Sequence, residues 1–229
     1  MKKFYLTLNP HGGQQKGPRL LKQILPVLEV ANVDLTIIET TFAGHANELA
    51  HQLNFDGYEG MIVIGGDGTM HEVVNGMLTR PDKKQLPIGL IPGGTGNSFM
   101  HDLELMNPID AAKAIISGNT RKIDVAEVNI NHVIKYAFNI IGWGLVTDVG
   151  NKAEKWRWLG EARYTLLSVF EVLKYKPRSA TLILDNDKII DNFTFVIGCN
   201  TMYTGKGMKM APKAELDDGL MDIVVVRHG

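Results

Sequence analysis

The stretch that decides the fold is Met61-Ile62-Val63-Ile64 running straight into Gly65-Gly66-Asp67-Gly68-Thr69. Four apolar residues stopped by glycine read as a short strand buried on both faces. The glycines let the backbone approach a bulky anion, and a helix starting just beyond would offer it free N–H donors. The spacing of Met70, Val73, Val74, Met77 and Leu78 predicts that helix over 70–78, with His71, Glu72 and Asn75 on its other face. Thr69 with Glu72 three residues on has the pattern of a capping box. Asp67 stands apart. A carboxylate between glycines has little local structural use beyond an Asx turn, whereas a metal–phosphate site needs one to counter the cation.

Outward from this stretch, the first half of the chain alternates strand and helix signals. Strands are predicted over 4–8, 34–39, 61–64 and 88–91, with amphipathic helices over 19–30 and 44–53. Such a succession implies an α/β fold, a parallel sheet covered by helices on both faces. From about residue 123 the pattern changes to successive strands over 123–130, 133–141, 180–184, 189–199 and 220–226, interrupted by one helix over 159–173. The expected organisation is an α/β nucleotide-binding domain over 1–122 and a mainly antiparallel β domain over 123–229.

Composition narrows the function classes. Lys and Arg total 24 against 25 Asp and Glu, a net charge of −1, so no global basic field recruits nucleic acid. Any anion must be bound locally. The lone Cys199 excludes an internal disulfide, and no apolar run approaches the ~20 residues of a bilayer span. The expected location is the cytoplasm, with peripheral membrane contact open.

Two further glycine-rich loops follow predicted strands: Asn9-Pro10-His11-Gly12-Gly13, and Pro92-Gly93-Gly94-Thr95-Gly96-Asn97. Parallel strands put all their carboxyl ends on one side, so the three loops can converge on one ligand. Neither a Walker-type loop nor a Gly-x-Gly-x-x-Gly fingerprint is present.

Together these loops, the run Met70-His71-Glu72-Val73-Val74-Asn75-Gly76, the segments Gly142-Trp143-Gly144, Thr147-Asp148-Val149 and Leu159-Gly160-Glu161, and the corner Asp217-Asp218-Gly219-Leu220 resemble the catalytic domain of the diacylglycerol kinase and sphingosine kinase superfamily. The middle segments resemble the sphingosine and ceramide kinase branch. The resemblance implies a fold like that of NAD kinase and diacylglycerol kinase, and transfer of the γ-phosphate of ATP to a lipid hydroxyl. It assigns ATP contacts to Asn9, Gly12, Thr40, Gly65, Gly66, Asp67, Gly68, Thr69, Glu72, Gly94, Thr95, Asn97, Arg157 and Arg163. Asp67 would be catalytic, as proton acceptor or as a Mg²⁺ partner through water. Asp124 and Asp148 would lie on the lipid-acceptor side. A structural Mg²⁺ is implied near the Asp218 side chain with the backbones of Glu215 and Leu220.

The pattern departs from the superfamily in three places. Gly150 stands where sphingosine kinases carry an acid, which leaves diacylglycerol, monoacylglycerol or ceramide open as neutral acceptors. Ser98 stands where many bacterial diacylglycerol kinases carry an Asp. The chain also stops before an Asp-Gly-Glu motif, so the second domain is expected to be incomplete, with a homodimer or a segment supplied in trans as possible completions. Two alternatives follow: an inactive or partner-dependent nucleotide-binding fragment, or a NAD kinase, whose fold uses the same Gly-Gly-Asp-Gly-Thr loop.

Overall fold

A computed structural model describes residues 2–10, 15–144, 147, 177–205 and 207–227 of the chain. Its first part runs β1 (Lys2–Leu8), α1 (Gly17–Val30), β2 (Val33–Glu39), α2 (His45–Gln52), β3 (Gly60–Gly65), α3 (Asp67–Leu78) and β4 (Ile88–Pro92). The strands form one parallel sheet in the order β2-β1-β3-β4. Its centre is β3, where Met61, Ile62, Val63 and Ile64 are each no more than 1% exposed, as a strand covered on both faces requires.

The covering helices owe their form to identifiable residues. In α1, Pro18 occupies the first turn and Leu20, Ile24 and Leu28 make the buried stripe. Pro26 lies within this helix on its exposed side, where the carbonyl it frees can meet water. Helix α5 (Pro108–Ser117), packed beside α1, opens on an Asn107 cap whose Oδ1 accepts the Ile109 N–H at 2.8 Å, and stops at Gly118 with φ 76°. Helices α2 and α3 pack together and approach so closely that a side chain at Gly76 would collide with the Asn47 carbonyl.

Arg80 closes this layer. Its Nη1 donates to the carbonyls of Ala50, His51 and Leu53 at 3.0, 2.9 and 2.9 Å, satisfying the carboxyl end of α2. Its guanidinium lies 4.0 Å over the Phe55 ring and pairs twice with Asp82, at 2.8 and 2.7 Å.

The second part is antiparallel. Strands β5 (Ala126–Ile130) and β6 (Val133–Ala137) form a hairpin whose corner residues, Asn131 and His132, have φ 51° and 66°. β7 (Ile140–Gly144), β8 (Arg178–Leu184) and β12 (Asp222–Arg227) all pair with the long β9 (Asp187–Cys199), while β10 (Tyr203–Thr204) pairs with β11 (Met208–Lys209). The strand expected over 133–141 is divided here. Phe138 turns into the first core, 1% exposed and edge-on to Phe99 at 5.2 Å, and the Asn139 carbonyl accepts the Asn200 N–H at 2.8 Å. The last strand begins two residues later than expected, because Asp218 Oδ1 accepts the Leu220 N–H at 2.9 Å and holds the corner as an Asx turn. The helix expected over 159–173 lies outside the described residues. Among the described residues, no helix is long and apolar enough to cross a membrane.

Candidate active site

The chain leaves β1 toward one edge of the sheet and returns through β3 on the other side of β1. The carboxyl ends of these two strands therefore border the crevice where open α/β sheets bind ligands. The described parts of all three glycine-rich loops open there. The Asn9 N–H donates to the Ile64 carbonyl at 3.4 Å, and the Gly93 N–H donates to the Gly65 carbonyl at 2.7 Å. Gly66 and Gly94 lie back to back: a Cβ on Gly94 would come within 2.6 Å of the Gly66 Cα.

Helix α3 begins at Asp67, three residues before the apolar spacing indicates. Gly66 is its N-cap, in extended conformation at φ −109° and ψ −170°, and Asp67, Gly68 and Thr69 make the first turn. The Met70 N–H, bonded to the Gly66 carbonyl at 3.1 Å, opens the intrahelical ladder, so the preceding N–H groups face out of the helix end. Gly68 is exposed, and a Cβ there would meet nothing within 4 Å. Open space, free donors and the positive end of the helix dipole make this turn suited to an anion.

The capping box expected from Thr69 and Glu72 does not form, since α3 makes no side-chain cap. Glu72 Oε2 instead accepts the Ala46 N–H at 3.2 Å, in the first turn of α2, so it serves the α2–α3 contact. Nor does Asp67 lack a structural use. Its Oδ2 accepts the Ser98 N–H at 2.9 Å and its Oδ1 the Phe99 N–H at 3.2 Å, which ties it to the start of α4 (Ser98–Asp102). Each carboxylate oxygen keeps a further lone pair for another partner.

The remaining residues that the resemblance assigns to ATP differ in what they have to offer. Asn97, at φ 50°, accepts the Gly94 N–H at 2.9 Å and donates to the Gly94 carbonyl at 3.0 Å, so its side chain shapes the loop. Thr40 is buried, with its hydroxyl 3.4 Å from the Leu8 carbonyl. Thr95 is the exposed tip of its loop. Gly12, Asp148, Arg157 and Arg163 lie outside the described residues.

Asp124 stands at the junction of the two parts. Its Oδ2 accepts the Gly219 N–H at 2.6 Å, and with Asn200, Leu220 and Met221 it lines an open cleft of about 230 Å³. In the nearby corner Arg121 pairs with Asp217, and the Asp218 carboxylate is engaged by Leu220 as described. Of the Glu215, Asp218 and Leu220 set that the resemblance implies for a metal, only Asp218 would offer a side chain, and among the described residues no cluster of three or more His, Cys, Asp or Glu could hold a metal.

Four polar residues gather at the junction of the two parts, none of them expected there from the sequence. Asn75, assigned to the outward face of α3, is buried: its Oδ1 accepts the Tyr136 N–H and its Nδ2 donates to the Tyr136 carbonyl, both at 2.8 Å. Asn200 donates to the carbonyls of Asp124 and Phe138 at 3.0 and 2.9 Å. Ser98 Oγ accepts the Gly205 N–H at 2.6 Å, and Asp102 accepts the Met202 and Tyr203 N–H groups at 2.7 and 3.2 Å. Burial pushes the Asp102 carboxyl above its ordinary range against those two donors. An Asn inside an apolar helical run, where propensity disfavours it, was the available signal for Asn75.

Residues 3–128 match the diacylglycerol kinase catalytic domain, and residues 139–229 match the YegS C-terminal NAD kinase beta sandwich-like domain. The chain belongs to the diacylglycerol kinase catalytic-domain family. It is 34% identical to sphingosine kinase 1 of Arabidopsis thaliana over 75% of its own length and 37% of that protein. It is 30% identical to the diacylglycerol kinase of Bacillus subtilis over 99% of its length and 74% of that protein. The structure of a diacylglycerol kinase from Bacillus anthracis str. Sterne superposes with a TM-score of 0.76, at 28% identity over 99% of this chain and 74% of that one. The chain thus spans little more than a third of the plant sphingosine kinase and about three quarters of the bacterial enzyme. The α/β fold with a parallel first sheet and an antiparallel second part is that of the diacylglycerol kinase family, a family of lipid kinases that use ATP.

Proposed function

We propose that this diacylglycerol kinase-family chain transfers the γ-phosphate of ATP to a lipid hydroxyl, on diacylglycerol, a sphingoid base or a ceramide-like acceptor. The observation that carries the reading is the pairing of an open helix end with a fixed carboxylate. The free first turn of α3 lies beside Gly66 and Gly94, and Asp67 in that turn is held by two N–H donors. Phosphoryl transfer needs charge neutralisation and alignment more than covalent help.

In the step proposed, the lipid hydroxyl oxygen attacks the γ-phosphorus while the bond to the β-phosphate oxygen breaks. ADP departs, and the hydroxyl proton passes to Asp67 or to water beside it. A Mg²⁺ carried with the phosphates would neutralise the charge developing between them, and it requires as few as one protein carboxylate. The spare lone pairs of Asp67 fit that need. The backbone N–H groups of the first turn would bind phosphate oxygens, and Gly94 lets the neighbouring loop close over them. Arg157 and Arg163 are proposed as further phosphate contacts, Asp124 and Asp148 as acceptor-side residues, and the division near residue 122 as the line between two units.

The experiment is incubation of the purified protein with γ-labelled ATP, NAD and mixed lipid micelles. Labelled phospholipid supports the lipid kinase reading. Labelled NADP would replace it with a NAD kinase, and nucleotide binding without turnover with an inactive module.

A further inference from the structure

Helix α4 is five residues long, and hydrogen bonds leave it at both ends. At its start, the Ser98 and Phe99 N–H groups hold the two oxygens of Asp67. Ser98 Oγ, at the same turn, accepts the Gly205 N–H at 2.6 Å, and Asp102 at the far end accepts from Met202 and Tyr203. Between them the Phe99 ring stands edge-on to Phe138. Just ahead of the helix, a Cβ on Gly96 would lie 3.5 Å from Asp67 Oδ2 and 3.6 Å from the Gly205 Cα. The carboxylate of the first part and the 202–205 segment of the second therefore meet around one short helix.

A helix this short has no stability of its own, because nucleation costs more than one turn of hydrogen bonds returns. Its direction is set by whatever holds its ends. The two donors that orient Asp67 are therefore aimed by bonds made on the other side of the helix.

We infer that Ser98 and Asp102 are positioning residues that act on Asp67 through α4, so that the 202–205 segment of the second part aims the carboxylate of the first. The transfer centre is then assembled only when the two parts are docked, and loosening the 202–205 segment releases Asp67 without touching it. The functional weight of this inference rests on Asp67 being the acid of the transfer site. The coupling itself does not.

The test is backbone amide exchange on the full chain carrying Asp102→Asn, whose side chain offers one acceptor oxygen to two donors. The coupling predicts that the Ser98 and Phe99 amides exchange about tenfold faster, together with those of Met202 and Tyr203, as expected for the loss of about one hydrogen bond. It also predicts a fall in kcat for phosphate transfer of similar size with the KM for ATP unchanged. Faster exchange confined to Met202 and Tyr203, with Ser98 and Phe99 unaltered, would overturn it. Should Asp102→Asn fail to fold, Ser98→Ala and Ser98→Thr decide. The alanine variant should speed exchange at Phe99 and Gly205 and the threonine variant restore it, and equal exchange at Phe99 in both variants and wild type would overturn the coupling. If the wild-type chain phosphorylates no lipid, the proposed function fails while the exchange result still judges the helix.

Discussion

Gly66 and Gly94 meet backbone to backbone: a Cβ on Gly66 would lie 2.8 Å from the Gly94 Cα, and one on Gly94 2.6 Å from the Gly66 Cα. Neither atom can yield without moving a whole loop. Gly94→Ala should therefore force the β3–α3 and β4–α4 loops apart at a cost of about 1–3 kcal/mol. We expect this cost to appear as a loss in ADP affinity of about tenfold or more in calorimetric titration. Gly68→Ala, whose Cβ enters open space, should leave the melting temperature unchanged.

Asn75→Ala should destabilise the chain, because it strands the part-buried N–H and C=O of Tyr136 and removes the joint between α3 and the β5–β6 hairpin. A loss of about 2–4 kcal/mol is expected for two unsatisfied backbone groups. Urea unfolding measures it, and a loss below about 0.5 kcal/mol, the scale of an ordinary surface substitution, would contradict the joint.

These two cases mark what the sequence reveals and what it hides. The strands, the glycine loops and their convergence were legible because apolar runs and glycine spacing are local signals. The roles of Asp67, Glu72, Asn75 and Asp102 were not. Their partners lie 31, 26, 61 and 100 residues away, and no local pattern names a backbone N–H at that distance. For the same reason the helix start moved from Met70 to Asp67. The glycine that caps α3 is also a glycine of the loop, and spacing of apolar residues cannot see a first turn that is polar.

Part of the chain's acid sensitivity should trace to Asp82. The Arg80 guanidinium holds its carboxyl down at about 2, below the ordinary range near 4. A carboxyl depressed in the folded state contributes stability that is present above its unfolded value and lost as the pH falls through the folded one. Stability should therefore decline between pH 4 and pH 2, and Asp82→Asn should flatten that part of the profile. Thermal melts at half-unit pH intervals check it, and an unchanged slope in Asp82→Asn would exclude this pair as the cause.

Arg80→Ala should be among the more damaging single changes, since it leaves Asp82 unpaired and the carbonyls of Ala50, His51 and Leu53 without their donor. We expect a loss of about 2–4 kcal/mol by urea titration, the scale for leaving several carbonyls without a donor, with little added by the exposed Asp82.

Cys199 should be inert in the folded chain. Burial, with the Asp222 carboxylate as a lesser influence, pushes its thiol up to about 11, so little thiolate exists at pH 8. Iodoacetamide should label it only as fast as the chain unfolds, which mass spectrometry across a urea series would show. Rapid labelling without denaturant would contradict the buried setting.

The central claim is that the glycine loops form a phosphoryl-transfer centre around Asp67. The most direct measurement compares the initial rate of phosphate transfer from γ-labelled ATP to micellar lipid for the wild-type chain and Asp67→Asn. The account predicts label in the lipid fraction for the wild type and a fall of about a hundredfold or more for Asp67→Asn, the scale of losing a positioned acid–base group. Near-equal rates in a folded Asp67→Asn protein would contradict it.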